Sequence, residues 1–343
     1  MRVLQVDSGR EWRGGQGQVW LLCRELARHP DVEQALVTKQ DGELARRAAG
    51  DGVQVQGTAW DIGLDPRAWW RLRRAISSFQ PDVIHVHDSH ALTLAASITA
   101  SRTLVATRRV DFHVGRSGAW RRPDRIIAVS AAVKDILTGD GIAPDAVVVV
   151  PDGIDPDEVR RASTPPLGTR RQLGLSEKTP LAVNAAALVE HKDQRTLVRA
   201  AAHARTLEPG LHWVIAGEGP LRASLSAEIS RLQLADRVHL VGYVERVDAL
   251  IAEASVFVMS SKQEGFGSVI LNALALGRPI VATAAGGIPE VLPAEVLVPP
   301  GAAEALARRV VEAIQHPTAL PFPPRFTASA VARQVLDVYK ALV

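Results

Sequence analysis

Short apolar runs alternate with helical patterns along nearly the whole chain, and this alternation restricts the fold more than any other feature. VLQVD (3–7) reads as a buried strand, followed by a Gly-rich turn and a helix from about Gln16 to His29. DVIHVH (82–87), TLVAT (103–107), RIIAVS (125–130) and AVVVVP (146–151) read as further strands, most with helical patterns between them. The alternation stops at PDGIDPDEVRRASTPPLGTRRQLGL (151–175), which is rich in proline, glycine and charge and reads as a linker. It restarts with PLAVNAA (180–186), a helix from about Lys192, LHWVIAG (211–217), a helix from about Pro220, and RVHLVGY (237–243). SVFVMS (255–260), a helix from about Gly267, PIVAT (279–283) and AEVLVPP (294–300) complete it. Such alternation calls for parallel sheets covered by helices on both faces. One interruption divides the chain into two doubly wound α/β halves, roughly 1–155 and 175–320. Open parallel sheets bind ligands beyond the carboxyl ends of their strands, so two facing sheets would enclose one interdomain cleft. The final segment, 327–343, places Val331, Val335, Val338 and Leu342 on one helical face.

Composition agrees with two globular cores. The 343 residues suggest about two domains. With 47% hydrophobic and 22% charged residues, long disorder is not expected. No apolar stretch approaches the ~18 residues of a membrane span. The start, MRVLQVDSG, lacks a signal-peptide pattern. Cys23 is the one cysteine, which excludes an internal disulfide framework and a Cys-rich zinc site. These features point to a cytoplasmic protein. A net charge of +3 gives no case for nucleic-acid binding. The charge is unevenly spread: Arg102, Arg108, Arg109, Arg116, Arg121, Arg122 and Arg125 face only Asp111 and Asp124 in that stretch. This is either a solvated surface or a site for an anionic acceptor or membrane.

The most informative stretch is EGFGSVILNALALGRPIVAT (264–283). Glycines 265 and 267 precede a helix, a geometry that presents backbone N–H groups to phosphate. Glu264 would repel phosphate and suits sugar hydroxyls better; the alternative is a Gly-rich turn with an exposed Glu. Lys192, at an expected helix start, opposes the helix dipole unless an anionic ligand is present; otherwise it is a solvated lysine. His85 and His87 share one side of a strand. They read as a metal pair, as hydrogen-bonding groups in the cleft, or as one packed and one exposed histidine; no third ligand stands out. WRGGQGQVW (12–20) fails G-x-G-x-x-G because Trp20 replaces the third glycine, yet Gly14 and Gly15 permit close approach to a ligand. No phosphate-loop or nucleophile-elbow motif is present. PRAWWRLRRAISSF (66–79) reads as an amphipathic helix with Trp69, Leu72, Ile76 and Phe79 on one stripe and Arg67, Arg71 and Arg74 on another. A sheet-covering helix is favoured over membrane docking.

Together these segments resemble the retaining glycosyltransferases of family 4, over nearly the whole chain. ALVEHKD (187–193), VIAGEGPLR (214–222), HLVGYV (239–244), EGFG and AGGIPEVL (285–292) occur in the family's order and spacing. VDSGREWRGGQGQ, PDVIHVHDSHAL, RIIAVSAAVKDIL and VVVPDGID add to the likeness in the first half. WRGGQ, HVHDSHA and TRRVDF are similar to bacterial members that build lipopolysaccharide and other envelope glycans. The resemblance implies the GT-B fold, an α/β class with two facing Rossmann-like domains. These would be an acceptor-side domain, 1–158, and a donor domain, 170–324, with helix 327–343 crossing back to the first. It implies that Lys192 holds the donor diphosphate and that Glu264, first acid of the E-x7-E motif, binds sugar hydroxyls. Gly265, Phe266, Gly267 and Ser268 would offer amides to the phosphates. His87 would lie by the transferred sugar and β-phosphate, and Gly14 and Gly15 would line the cleft. Two positions depart from the pattern. Asn272 replaces the second acid, which holds the ribose, and Ala187 replaces an arginine of the diphosphate clamp; Arg195 is a candidate to compensate.

The implied chemistry is retention by front-face displacement. The leaving phosphate takes the acceptor proton, and no metal or other cofactor is expected. The partners are a nucleotide-sugar donor and a glycan or lipid-linked acceptor, with peripheral docking at the inner face of the membrane through the Arg102–Arg125 stretch and the Trp69/Arg74 helix. Two other readings stand beside it: a non-catalytic nucleotide-sugar-binding protein and, more remotely, a metal-dependent hydrolase.

Overall fold

The computed structural model describes residues 1–60, 65–98, 102–115 and 118–343. Two compact units emerge, residues 1–154 with 324–343, and residues 155–323. The first begins β1 (Arg2–Val6), α1 (Gly14–Ala27), β2 (Glu33–Lys39), α2 (Glu43–Gly50), β3 (Gln54–Thr58) and α3 (Pro66–Phe79). It continues β4 (Val83–Val86), α4 (Ser89–Ala96), β5 (Thr103–Arg108), β6 (Arg125–Ala128), α5 (Ala131–Gly139) and β7 (Val147–Val149). The second begins α6 (Pro156–Ala162), α7 (Thr169–Gln172), β8 (Leu181–Ala185), α8 (Gln194–Leu207), β9 (His212–Ala216) and α9 (Arg222–Arg231). It continues β10 (Val238–Gly242), α10 (Val247–Ala252), β11 (Val256–Met259), α11 (Val269–Ala275), β12 (Ile280–Thr283), β13 (Leu297–Val298) and α12 (Ala303–Gln315). The chain ends in α13 (Ala328–Lys340), which belongs to the first unit.

Both sheets are parallel. Their orders are β3-β2-β1-β4-β5-β6-β7 and β10-β9-β8-β11-β12-β13. Continuous apolar strands, such as the fully buried Val256–Met259, require helices on both faces. The strand order reverses direction between β1 and β4 and between β8 and β11. Loops there leave the sheet on opposite faces and open a crevice at the carboxyl ends. In the first unit, Leu72, Ala75, Ile76 and Phe79 of α3 pack on Leu4, Val6, Ile84 and Leu104. The sheet-covering reading of this helix therefore holds. Val335, Leu336 and Tyr339 of α13 join Val3, Leu22, Leu26 and Val105 in a second core on the other face, and α13 packs on α1. Val331, Val338 and Leu342, expected on the buried face, pack at its margin.

Several boundaries depart from the sequence reading. The stretch expected to be a linker contains α6 and α7. Asp155 accepts hydrogen bonds from the Asp157 and Glu158 amides, with Pro156 at the first helical position, a helix-start signal hidden by the Pro- and Gly-rich composition. α1 starts at Gly14, so Gly14 and Gly15 form its first turn instead of a preceding loop. β2 and β3 were not read from the sequence; polar Gln34, Thr38, Gln54 and Gln56 interrupt their apolar pattern.

Candidate functional site

In the second unit, β8 and β11 end side by side, and the chain after each supplies half of a charged pair. Lys192 closes a tight helical turn, Glu190–Lys192, and Asp193 then takes a left-handed conformation (φ +46°) before α8 begins at Gln194. The expectation that Lys192 starts the helix is corrected: it lies two residues ahead of α8, and the Glu264 carboxylate offsets its charge beside the helix N-terminus. Its Nζ bonds Glu264 Oε2, and Ser261 Oγ donates to the same oxygen at 3.2 Å. Ser260 Oγ donates to the Lys192 carbonyl (3.0 Å), and Thr283 Oγ1 donates to the Ser261 carbonyl (2.6 Å). The two loops are thus tied to each other and to β12. The lysine and glutamate side chains are 20% and 11% exposed, so the pair is sheltered yet reachable.

Glycine makes these approaches possible. A Cβ on Gly286 (φ +49°) would lie 1.9 Å from the Glu264 carbonyl oxygen, and one on Gly217 (φ +142°) 2.0 Å from that of Ala186. Only glycine lets these loops touch the segments bearing Glu264 and Lys192. Gly265, Phe266, Gly267 and Ser268 lead into α11, with Phe266 buried. Asn272 Nδ2 donates to Asp248 Oδ1 at 2.7 Å. Asp248 was missed in the sequence; burial raises its carboxyl above the usual range, opposed by the Asn272 hydrogen bond. Only a contact between α10 and α11 joins the two residues, so no local signal marks the pair. Ala187 offers its carbonyl to Gln194 Nε2 (2.9 Å). The Nε of Arg195, the candidate replacement cation, is buried with no hydrogen-bond partner among the described residues.

The first unit arranges its strand ends differently. His87 follows β4; its Nε2 lies 2.7 Å from Gln5 Oε1 and its Nδ1 3.5 Å from an Arg109 nitrogen. Arg109 Nε also donates to Asp152 (3.2 Å). His85 lies between Tyr339 Oη (2.5 Å) and Thr107 Oγ1 (2.6 Å). With both His85 nitrogens engaged by protein groups, the two histidines do not converge on one point, and the metal-pair reading finds no geometric support. Burial drives both imidazoles well below their ordinary pKa, so both are neutral at pH 7. Asp88 accepts hydrogen bonds from Ser8 Oγ and N and caps α4 through the His90 and Ala91 amides. Asp7 was also missed. It is buried at the end of β1, bonded to the Gly9 amide and Gln16 Nε2. Burial and the neighbouring Asp88 raise its carboxyl to about 6. Gly15 has open space where a Cβ would project.

The arginine stretch does not form one bare surface. Arg102 donates to the Pro81 carbonyl, Arg108 to that of Phe112, and Arg121 to that of Asp140. Arg125 donates to the Asp145 carbonyl. Arg116 lies outside the described residues. On α3, Trp69 is half-buried and donates to Ser97 Oγ, whereas Trp70 is 66% exposed.

Comparison with known proteins agrees with this architecture. A family model for glycosyltransferase family 4 matches residues 12–158, and one for glycosyl transferases group 1 matches residues 168–330. The chain is 25% identical over 283 residues to a 2-deoxystreptamine glucosyltransferase of Streptomyces kanamyceticus, covering 80% of this chain and 71% of that protein. It is 29% identical over 244 residues to the phosphatidylinositol N-acetylglucosaminyltransferase GPI3 subunit of Saccharomyces cerevisiae, covering 66% of this chain. The match spans about half (53%) of that subunit's length. Among solved structures, Anabaena HepE in complex with UDP-glucose superposes with a TM-score of 0.83 at 20% identity, covering 99% of this chain and 100% of that one. Likeness at this identity shows the fold, GT-B.

Proposed function

The chain belongs to family 4 of the glycosyltransferases, and on that basis we propose that it moves a sugar from a UDP-sugar to a glycan or lipid-linked acceptor. The anomeric configuration is retained, and the product serves envelope polysaccharide or lipopolysaccharide synthesis. One observation carries the reading: Lys192 and Glu264, 72 residues apart, meet beyond the adjoining ends of β8 and β11. An ammonium has three N–H donors, and the Glu264 bond uses one. The others hold the donor diphosphate while Glu264 accepts from sugar hydroxyls. HepE, of the same fold, is a UDP-glucose complex, which favours uridine over other bases.

In this mechanism, charge develops on the β-phosphate as the anomeric bond breaks. Lys192 and the amides of Gly265, Phe266, Gly267 and Ser268 stabilise it, with no metal ion required. The leaving phosphate oxygen takes the acceptor proton as the acceptor oxygen bonds the same face of the sugar. Asn272, with Asp248, meets the ribose. Gly14, Gly15 and His87 of the first unit are given to the acceptor side of the reaction. A lipid-linked acceptor suits docking at the inner face of the membrane through Trp70, Arg71 and Arg74 of α3. No helix among the described residues is long and apolar enough to cross a membrane.

Thermal unfolding with UDP-, GDP- and ADP-sugars tests the donor. A ligand at 100 times its Kd adds ~2.7 kcal/mol, and the gain should disappear in Lys192→Ala. Product NMR on an acceptor panel tests transfer: an inverted anomer overturns the mechanism. Donor binding without turnover favours the non-catalytic reading, and loss of liposome flotation at every salt concentration removes the membrane.

A further inference from the structure

Five hydrogen bonds run in one direction through the interior of the first unit. Gln5 Nε2 donates to Tyr339 Oη at 3.3 Å. That oxygen then has its own proton for His85 Nδ1, 2.5 Å away. His85, accepting at Nδ1, carries its proton on Nε2 and donates to Thr107 Oγ1 at 2.6 Å. On the other side, Gln5 Oε1 accepts from His87 Nε2 at 2.7 Å. His87 therefore also carries its proton on Nε2, and its Nδ1 accepts from Arg109 at 3.5 Å. Gln5, His85 and Tyr339 have no exposed surface, so bulk solvent does not reach the middle of the chain of bonds. The opposite direction fails at one end. It would place an N–H on His87 Nδ1 against a guanidinium, which has donors only. Thr107 closes the other end in either role, since a hydroxyl donates and accepts. Burial keeps both imidazoles neutral, as the chain requires.

We propose that Tyr339, acting through Gln5, is a positioning residue that locks His87 as its Nε2–H tautomer and turns the Nδ1 lone pair toward Arg109. The last helix thus sets the proton pattern at the end of β4, 252 positions earlier in the chain. His87 presents an acceptor to the site. The cation there is Arg109, steered by the His87 lone pair and the Asp152 carboxylate. The tautomer lock stands on this geometry alone. Its effect on catalysis rests on the transferase reading.

The full chain with isotope-labelled histidine, studied by long-range proton–nitrogen correlation at neutral pH, tests the lock, with His87→Asn assigning the signals. Protonated Nε2 and bare Nδ1 are expected at both His85 and His87. A protonated Nδ1 on His87 overturns the proposal. In Tyr339→Phe the Gln5 amide loses its acceptor and is released to rotate, so His87 should become a mixture of tautomers; an unchanged single pattern overturns the role of Tyr339. If that variant does not fold, Arg109→Met makes the same test by permitting the reverse direction. Kinetics separate positioning from mere stability. Tyr339→Phe should lower kcat about tenfold, the scale of one hydrogen bond, with donor KM unchanged. It should add nothing in a His87→Asn background, and an equal loss in both backgrounds overturns the positioning role. If His87→Asn itself leaves transfer intact, the placement of His87 in the site fails, while the resonances still decide the lock.

Discussion

The two units share one architecture but finish their strand ends with different side-chain chemistry. In the second, charged side chains meet: Lys192 with Glu264, and Lys262 with Asp193 at 3.2 Å. In the first, the core of the strand-end arrangement is neutral, two buried histidines linked through Gln5 and Tyr339. A sheltered ion pair that solvent still reaches keeps its charges available to a ligand, because partial solvation holds down the cost of separating them. A buried neutral network fixes orientation and proton position but responds poorly to new charge. Under the proposed transferase reading, charge stabilisation falls to the second unit and geometry to the first.

Removing the lysine attacks that division most directly. Lys192→Ala should lower the transfer rate by about 10²–10³-fold, the usual loss for a group that stabilises developing charge. Donor-induced stabilisation should vanish with it. Steady-state rates and thermal unfolding with each UDP-sugar make the check; a loss below tenfold would move the charge-stabilising role elsewhere.

Backbone substitutions come next. Gly286→Ala should cost about 3 kcal/mol, since the new methyl collides with the Glu264 carbonyl in a conformation that already disfavours alanine. Gly15→Ala lies in the first turn of α1 with nothing within 4 Å, and should leave stability unchanged or raise it by about 0.5 kcal/mol. Denaturant midpoints for both variants decide this. Equal effects would show that the tight loop approach is not peculiar to the second unit.

These glycines also explain what was readable in the sequence. The second site is built from short local segments whose backbone contacts demand glycine, so EGFG and AGGIPEVL carry its shape in their own letters. The alternation of apolar strands likewise revealed the doubly wound halves, while β2 and β3 escaped because Gln34, Thr38 and Gln54 broke the pattern. The histidine network could not be read this way. His85 and Tyr339 are 254 residues apart, and only the fold brings them together. Asp248 and Asn272 pose the same difficulty across 24 residues.

Acidity probes the first unit by another route. His85 and His87 have pKa values held well below 6.5 in the folded protein by burial. The unfolded chain therefore gains protons first as pH falls below 6.5, and the stability these histidines contribute is progressively lost. Asp7 acts in the opposite sense, with its folded pKa at about 6 against an ordinary 3.8. Its stabilising contribution is complete below 3.8 and lost as pH rises through 6. Asp7→Asn should consequently exceed the wild type in stability above pH 6, by on the order of 2–3 kcal/mol, and lose that advantage toward pH 4. Urea titrations from pH 4 to 8 measure the difference; a gain independent of pH would show that Asp7 is not protonated by burial.

The smallest effect is the one that tests whether the second unit is charged throughout its site. Asn272 is neutral where the family pattern has an acid, yet Asp248 lies 2.7 Å from its amide. If the pair jointly meets the ribose, the carboxylate orients the Asn272 amide and leaves its carbonyl oxygen directed at a hydroxyl. Asp248→Asn keeps the size but replaces a charge-assisted hydrogen bond with a neutral one, a change of about 1 kcal/mol. The Kd for a UDP-sugar should then rise about fivefold. UDP lacking the ribose 2′-hydroxyl should bind wild type and variant more nearly alike. Stability should move little or upward, because burial already disfavours the Asp248 charge. Calorimetry with both nucleotides separates the outcomes. A variant that binds the complete nucleotide as tightly as the wild type would confine the charges that matter to Lys192 and Glu264.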